Sequence, residues 1–317
     1  MTGRLLQFIV TLAAVSFAVY ALIGLMPGDP VDLMIAGNPH MTPEDAVRLR
    51  AIHGLDQPLL TRYLHWATAA LSGDMGYSRL YHVAVLDVIW PRLWNTIILL
   101  GVSLSVTLAI ALPLGVYAAE KRGSMTDRVI NVTTLAGLSV PPFWLGLLLI
   151  VVFAVQLGWL PAGSDPTSGI TLRGLALPVA TLAIANLAAY TRHLRAAMTE
   201  ALAADHIRTA RAKGCSDSRV LWHHAFKNAL PPVVTLLMLD IGTLVGGAVT
   251  IETVFAFPGM GKLMFDAVMG NDYNLALCGF LILTAMVLLT GMLGDFLYRV
   301  IDPRQRAKQT DKKAGTA

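Results

Sequence analysis

The stretch LWNTIILLGVSLSVTLAIALPLGVYAA, residues 93–119, carries no charged side chain until Glu120-Lys121-Arg122 closes it. At about 1.5 Å of rise per residue, a helix of that length crosses a hydrocarbon core of about 30 Å with residues to spare. The pattern recurs along the chain. Similar runs occupy Leu5–Met26, Val129–Ala162, Gly174–Thr191 and Tyr273–Gly294, and Ala229–Ile251 adds one interrupted only by Asp240. Composition agrees, since 55% of the 317 residues are hydrophobic and 14% are charged, where soluble domains carry about 25% charged residues. Mean hydropathy is +0.62. A lone soluble enzyme, a secreted disulfide scaffold, a collagen-like chain and a disordered chain are thereby excluded. The expectation is an all-α polytopic membrane protein with six transmembrane helices.

Leu5–Met26 follows Arg4 and contains Ala-x-Ala-like steps, as a secretory leader does. Its apolar length exceeds the roughly 7–15 residues of a leader's centre, which favours a membrane anchor. The Val129–Ala162 run is too long for one straight span, and Pro141-Pro142 together with Gly158–Pro161 predicts a kink and an exit. Orientation follows from Lys and Arg, which cytoplasmic loops retain. With the N-terminus inside, 17 of the 24 basic residues fall on the inner side and seven outside, and the outer segments hold ten of the 20 acids. Both termini are therefore expected in the cytoplasm. The net charge of +4 and the pI near 9.1 reflect this orientation, so no nucleic-acid partner is needed to explain them. The basic tail after Asp302 reads as a solvated flank near anionic lipid. Cys215 and Cys278 fall at different depths or sides, so no bridge between them is expected.

The expected organisation is an N-terminal segment with the first membrane helix (1–26), an external region with short helices (27–92), a five-helix core (93–302) and a cytoplasmic basic tail (303–317). In the external region, Thr42-Pro43-Glu44-Asp45 supplies a hydroxyl N-cap, a first-turn proline and acids at the positive end of a helix dipole, with Gly54 as the stop. Within the core lie a cytoplasmic loop, 196–230, and an external loop, 253–271. The external loop contains Phe257-Pro258-Gly259-Met260-Gly261, a turn-forming stretch suited to dipping back into protein. The cytoplasmic loop is rich in Ala, Leu, Arg and Lys, and Gly214 with Ser216-Asp217 reads as helix, tight turn, N-cap, helix. Leu202, His206, Thr209, Ala210 and Lys213 share a stripe, small alanines cover much of the surface, and Arg208, Arg211 and Lys213 supply charge. That combination suits docking of a cytosolic partner, whereas the blander reading is a basic amphipathic helix resting on headgroups.

At this loop the sequence resembles a known family. Thr209-Ala210-Arg211-Ala212-Lys213-Gly214 followed by Asn228-Ala229-Leu230-Pro231 is similar to the cytoplasmic signature of ABC importer permeases in the dipeptide, oligopeptide and nickel group. The likeness runs along nearly the whole chain. It includes Pro27-Gly28-Asp29-Pro30, Gly54-Leu55-Asp56-Gln57-Pro58, Gly73-Asp74-Met75-Gly76, Pro141-Pro142-Phe143-Trp144, Gly158-Trp159-Leu160-Pro161, Glu252 with Phe255 and Pro258-Gly259-Met260-Gly261, Asp272-Tyr273, and Asp302-Pro303-Arg304. The general importer signature has Glu-Ala-Ala where this chain has Arg208-Thr209-Ala210, a departure the peptide-type branch shares.

The resemblance implies a type I importer permease fold in the bacterial cytoplasmic (inner) membrane, moving peptides or a peptide-like solute by alternating access. It implies partners too: a paralogous permease completing a heterodimer, two ABC ATPase subunits below and a solute-binding protein outside. Asp205, Arg208, Thr209, Ala210, Arg211, Ala212, Lys213 and Gly214 would then form the ATPase-docking loop. Phe257, Pro258, Gly259 and Gly261 would mark the external loop. No cofactor is expected in this chain, ATP and Mg belonging to the ATPase partners. Consistently, the nearest approach to a phosphate-binding loop is Gly261-Lys262, which lacks both the following Ser/Thr and the preceding glycine.

Two acids remain as candidates on the translocation path. Asp240 stands near the middle of its span, where an ionised acid is costly, and reads either as a pore-lining residue or as a hydrogen-bonding partner for a neighbouring helix. Glu252, at the outer end of the same span, reads as a gate or loop-orienting residue rather than a substrate contact. Gly242, Gly246 and Gly247 suit close helix packing. His223-His224 raises the possibility of a metal site, but adjacent histidines on a helix diverge and no Cys or carboxylate cluster completes one; import of a nickel chelate rather than a peptide stays open, because the group resembled includes nickel permeases. Trp66, Trp90, Trp94, Trp144 and Trp159 suit interface anchoring. An ion-coupled secondary transporter using Asp240 is the competing class. It calls for internal repeats and several intramembrane charges, and neither is visible.

Overall fold

The computed structural model describes residues 2–25, 42–52, 56–164 and 169–301. Regular structure among them is helical, apart from an isolated antiparallel bridge between Tyr77 and Ala84. In order, the helices are α1 (Thr2–Gly24), α2 (Pro43–Ile52), α3 (Leu59–Leu71), α4 (Val85–Glu120), α5 (Met125–Ser139) and α6 (Pro142–Leu149), which a π-helical stretch extends through Ile150–Gln156. Then come α7 (Leu172–Ala203), α8 (Asp205–Ala212) and α9 (Asp217–Arg219), followed by a second π-helical stretch (Val220–Ala225) that opens α10 (Phe226–Val254). The last are α11 (Met260–Met269) and α12 (Tyr273–Ile301).

Four helices among the described residues are long and apolar enough to cross a bilayer, within α1, α4, α7 and α12, or five if α5 and α6 form one bent span. The remaining apolar interval, Ala229–Ile251 with Asp240 inside it, lies within the 29-residue α10.

Helices overrun the uncharged runs wherever one side is covered by protein. α4 starts at Val85, eight residues upstream of Leu93, because Val85, Ile89 and Leu93 are buried at i, i+4 spacing while Asp87 sits at the favourable end of the dipole. α7 begins where the Thr171 hydroxyl accepts the Gly174 N–H at 3.1 Å, and continues past Thr191 because Leu194, Met198 and Ala201 remain buried. The predicted kink falls at Val140, which is extended ahead of Pro141 as a residue before proline must be, and α5 and α6 diverge by 96° there. The helical stretch then ends at Gln156, ahead of Gly158 at φ +64°. At the start of α2, the Thr42 Oγ1 accepts the Asp45 N–H at 3.2 Å while the Asp45 carboxylate accepts the Thr42 N–H at 3.1 Å, a reciprocal cap. The Thr42 hydroxyl also holds the Asp45 carboxyl below its ordinary pKa. Pro27-Gly28-Asp29-Pro30, Gly54-Leu55 and Asp302-Pro303-Arg304 with the basic tail lie outside the described residues.

The chain divides into two compact units, Met1–Leu93 with Leu263–Leu288, and Trp94–Lys262 with Leu289–Ala317. In the first, α3 packs on α1 through a ring cluster in which Tyr63 meets Phe17 edge-on at 5.2 Å and Tyr20 at 5.6 Å, with Trp66 5.8 Å from Tyr20. Trp66 thus packs within protein, whereas Trp90, Trp94, Trp144 and Trp159 are exposed. In the second unit α7 is central and packs against α5, α6 and α10. Both cysteines are free thiols.

Candidate functional site

α7 stops at Ala203 because Ala204 turns extended (ψ 152°), and the chain re-enters helix as α8. Eight residues cannot hold a helix alone. Burial supplies the difference: Ile207 is 1% exposed and Ala210 6%, joined in one core with Leu194, Met198, Ala201, Val220 and Ala225. Burying Ile207 contributes about 2 kcal/mol. At the other end Gly214, at φ +79°, takes the left-handed conformation that closes a helix, so that the Cys215 N–H reaches the Ala210 carbonyl at 3.2 Å.

The opposite side of α8 and its turn is open. Asp205, Arg208, Thr209, Arg211, Ala212, Lys213 and Gly214 are exposed, and Ala210 alone of the eight docking candidates faces inward, where its small side chain seats the helix. The seated stripe is therefore Ile207 and Ala210, and His206, Thr209 and Lys213 of the expected stripe lie exposed. Lys227 holds the exposed His223 below its ordinary pKa. The His223 and His224 rings stand nearly perpendicular to each other. The Asp205–Arg208 pair, 3.7 Å apart and fully solvated, adds little stability.

Asp240 is half-buried on α10, with its carboxyl beside the Tyr190 hydroxyl of α7. Glu252 follows 12 residues later on the same helix, about 18 Å along its axis, so the two acids belong to separate sites.

Around Glu252 the structure builds a polar lock. The side chain is fully buried. Its Oε1 accepts the Thr96 hydroxyl at 2.6 Å and its Oε2 accepts the Lys262 N–H at 3.0 Å. The Thr96 oxygen accepts the Met260 N–H at 2.7 Å, while Asn95 Nδ2 donates to the Pro258 carbonyl at 2.8 Å. These bonds fold the turn 257–261 back onto α4 and the start of α11. A Cβ on Gly259 would collide with the Glu252 carboxyl, so the turn needs glycine there. Phe255 and Phe257 are each 1% exposed, packed in one core with Leu99, Leu175 and Ile251. All four expected loop residues, Phe257, Pro258, Gly259 and Gly261, therefore belong to a closely packed structure. Asn95 and Thr96 were not anticipated, although they form an adjacent polar pair opening the uncharged run. Nor was α11, whose ten residues lie within the expected external loop.

Ala256, between the two buried phenylalanines, sits at φ +47°, where a Cβ is strained. Ala256→Gly is expected to raise stability by about 0.5–1 kcal/mol, read as a higher unfolding midpoint of the purified protein. A lower midpoint would show that the alanine methyl matters more than the backbone strain.

In the other unit a second acid plays a comparable part. Asp272, 1% exposed, accepts the Ser78 hydroxyl and the Leu80 N–H through Oδ2 and the Leu275 N–H through Oδ1, while Arg79 donates to the Gly270 carbonyl. The sequence 76–80 is thus tied to the start of α12.

Residues 111–307 match the family model described as the binding-protein-dependent transport system inner membrane component. A putative peptide permease protein of Brucella ovis is 39% identical over 95% of this chain and 97% of its own length. The oligopeptide transport system permease protein AppB of Bacillus subtilis is 36% identical over 95% of this chain and 97% of its own. For the dipeptide transport system permease protein DppB of Escherichia coli K12 the figures are 35%, 96% and 98%. Among solved structures, a chain of the MetNI methionine ABC transporter, described in inward-facing conformations, superposes with a TM-score of 0.56 at 21% identity, over 66% of this chain and 94% of that one.

Proposed function

The chain belongs to the binding-protein-dependent transport system inner membrane components, the ABC importer permeases, and from that membership we propose that it is a pore-forming subunit importing peptides or a peptide-like solute. In this reading six helices span the bacterial inner membrane, both termini face the cytoplasm, and a paralogous permease completes the pore. Two ATPase subunits grip the α8 hairpin, and an external binding protein delivers solute at the other face. The chain itself catalyses no reaction. Closure of the ATPase pair on nucleotide moves α8 as a rigid body and tips the helices between inward-open and outward-open states.

The observation that carries the reading is α8 itself, a short helix anchored by Ile207 and Ala210 with a row of cationic and small residues left at the surface. Arg208, Arg211 and Lys213 there offer charge for orienting a partner, and the small residues between them let its surface approach. Peptide as the solute rests on the relatives named above, whose own descriptions are peptide, oligopeptide and dipeptide permeases.

Asp240 separates this reading from ion-coupled transport. Asp240 stands near the Tyr190 hydroxyl of α7, and in this reading it bridges helices, a role that charge neutralisation preserves. Uptake of labelled dipeptide into proteoliposomes holding the assembled transporter and binding protein is expected to require ATP, and to survive Asp240→Asn within about threefold, since a group is being replaced by one of the same shape. ATP-independent uptake that Asp240→Asn abolishes would overturn the assignment.

A further inference from the structure

Asp127 is 4% exposed and lies beside the cytoplasmic loop without belonging to it. Its two oxygens receive the Arg195 Nε at 2.6 Å and an Arg195 terminal nitrogen at 2.7 Å, a fork-on-fork pair. They also accept the Gly123 N–H at 2.9 Å and Asn131 Nδ2 at 2.7 Å. The Ser124 hydroxyl caps the same turn by accepting the Asp127 N–H. Four donors on one carboxylate leave it almost no freedom.

Position makes the pair more than a local fastening. Arg195 lies one residue after Leu194 and three before Met198, both of which belong to the core that seats Ile207 and Ala210 of α8. Asp127 sits in the first turn of α5, which packs along α7 and leads to the 96° bend at Pro141. Any displacement of α8 reaches the membrane helices through the end of α7. An α7 end free to flex would absorb that displacement. Pinned bidentately to α5, it transmits the motion to both helices together.

We propose that Asp127 and Arg195 form a permanent strut that makes the start of α5 and the cytoplasmic end of α7 one rigid lever for α8, so that both are positioning residues for coupling. The proposal rests on the reading of α8 as the ATPase-docking helix. It differs from a latch, which would have to open in each cycle.

The test uses the complete transporter in proteoliposomes, in a Cys215→Ser background. Asp127→Asn and Arg195→Gln are compared with the parent for ATP hydrolysed per dipeptide imported, a ratio that altered folding alone does not change. It is expected to rise about tenfold, the size of an ordinary coupling loss. A ratio equal to the parent's overturns the strut. A second variant carries Asp127→Cys with Arg195→Cys and is bridged by a short bis-thiosulfonate reagent. Bridging is expected to restore tight coupling, because a permanent contact tolerates a covalent substitute. If bridging stops transport, or leaves the ratio as high as before, the contact is a latch or only a fold element and the proposal falls. In every variant, crosslinking from Lys213 to the ATPase is measured in parallel. Its loss in the parent speaks against the docking reading itself, and its retention with an unchanged ratio speaks against the strut alone.

Discussion

Glu252→Ala is expected to destabilise the protein by about 3 kcal/mol and to take ATP-driven uptake down with it. The substitution removes both acceptors from a fully buried site, leaving the Lys262 N–H and the Thr96 hydroxyl without the carboxylate that receives them. Each buried orphan costs about 1–3 kcal/mol. The turn 257–261 would keep the Asn95 bond, the Met260 N–H bond to Thr96 and the packing of the two phenylalanines, but lose its tie to the carboxylate. Gly259→Ala attacks the lock from the other side, forcing a methyl against the Glu252 carboxyl, and is expected to cost about 1–3 kcal/mol as overpacking does. Glu252→Gln keeps the shape and one acceptor, so it should fall between the parent and Glu252→Ala. Unfolding midpoints of the purified variants rank the three. Parent-like stability for Glu252→Ala would mean that the turn is held by its apolar contacts alone.

At the hairpin the effect should appear in transport and leave stability untouched. Ala212 is exposed and Ala210 is buried two residues away, so one bulky side chain placed at each separates contact with a partner from contact with the core. Ala212→Trp, or Arg211→Glu with Lys213→Glu, is expected to lower ATP-driven uptake about a hundredfold, equivalent to a coupling loss of about 2–3 kcal/mol. Neither should move the unfolding midpoint, since exposed substitutions usually fall within about 0.5 kcal/mol. Ala210→Trp should instead lower the midpoint, by about 1–3 kcal/mol, through overpacking. Normal uptake by Ala212→Trp would remove the surface from the mechanism.

Uncharged length and proline placement make the helical class, the bend at Pro141 and the helical hairpin around Gly214 legible in the sequence, because each is dictated locally. What escapes such a reading depends on burial. Val85 and Ile89 extend α4 into a charged segment, and Ile207 anchors α8 from among charged neighbours; in both places the deciding fact is which side another helix covers. The lock around Glu252 is half legible. Glu252 and the turn 257–261 stand out, but Thr96 is 156 residues from Glu252, and no spacing rule connects them. The Asp127–Arg195 pair, 68 residues apart, is hidden for the same reason. Ala256 gives no sign at all, since alanine is an unexpected residue for a left-handed turn.

The claim on which the rest depends is that the exposed side of α8 is held by a nucleotide-binding subunit. Photo-crosslinking residues placed one at a time at Arg208, Arg211 and Lys213, in the assembled transporter in native membranes, test it directly. The account predicts adducts of this chain with the ATPase at these positions, with yields that change when nucleotide is trapped, and none from the buried Ile207. Adducts with lipid alone at all three positions, or labelling of Lys213 by a membrane-impermeant reagent added from outside intact cells, would contradict it.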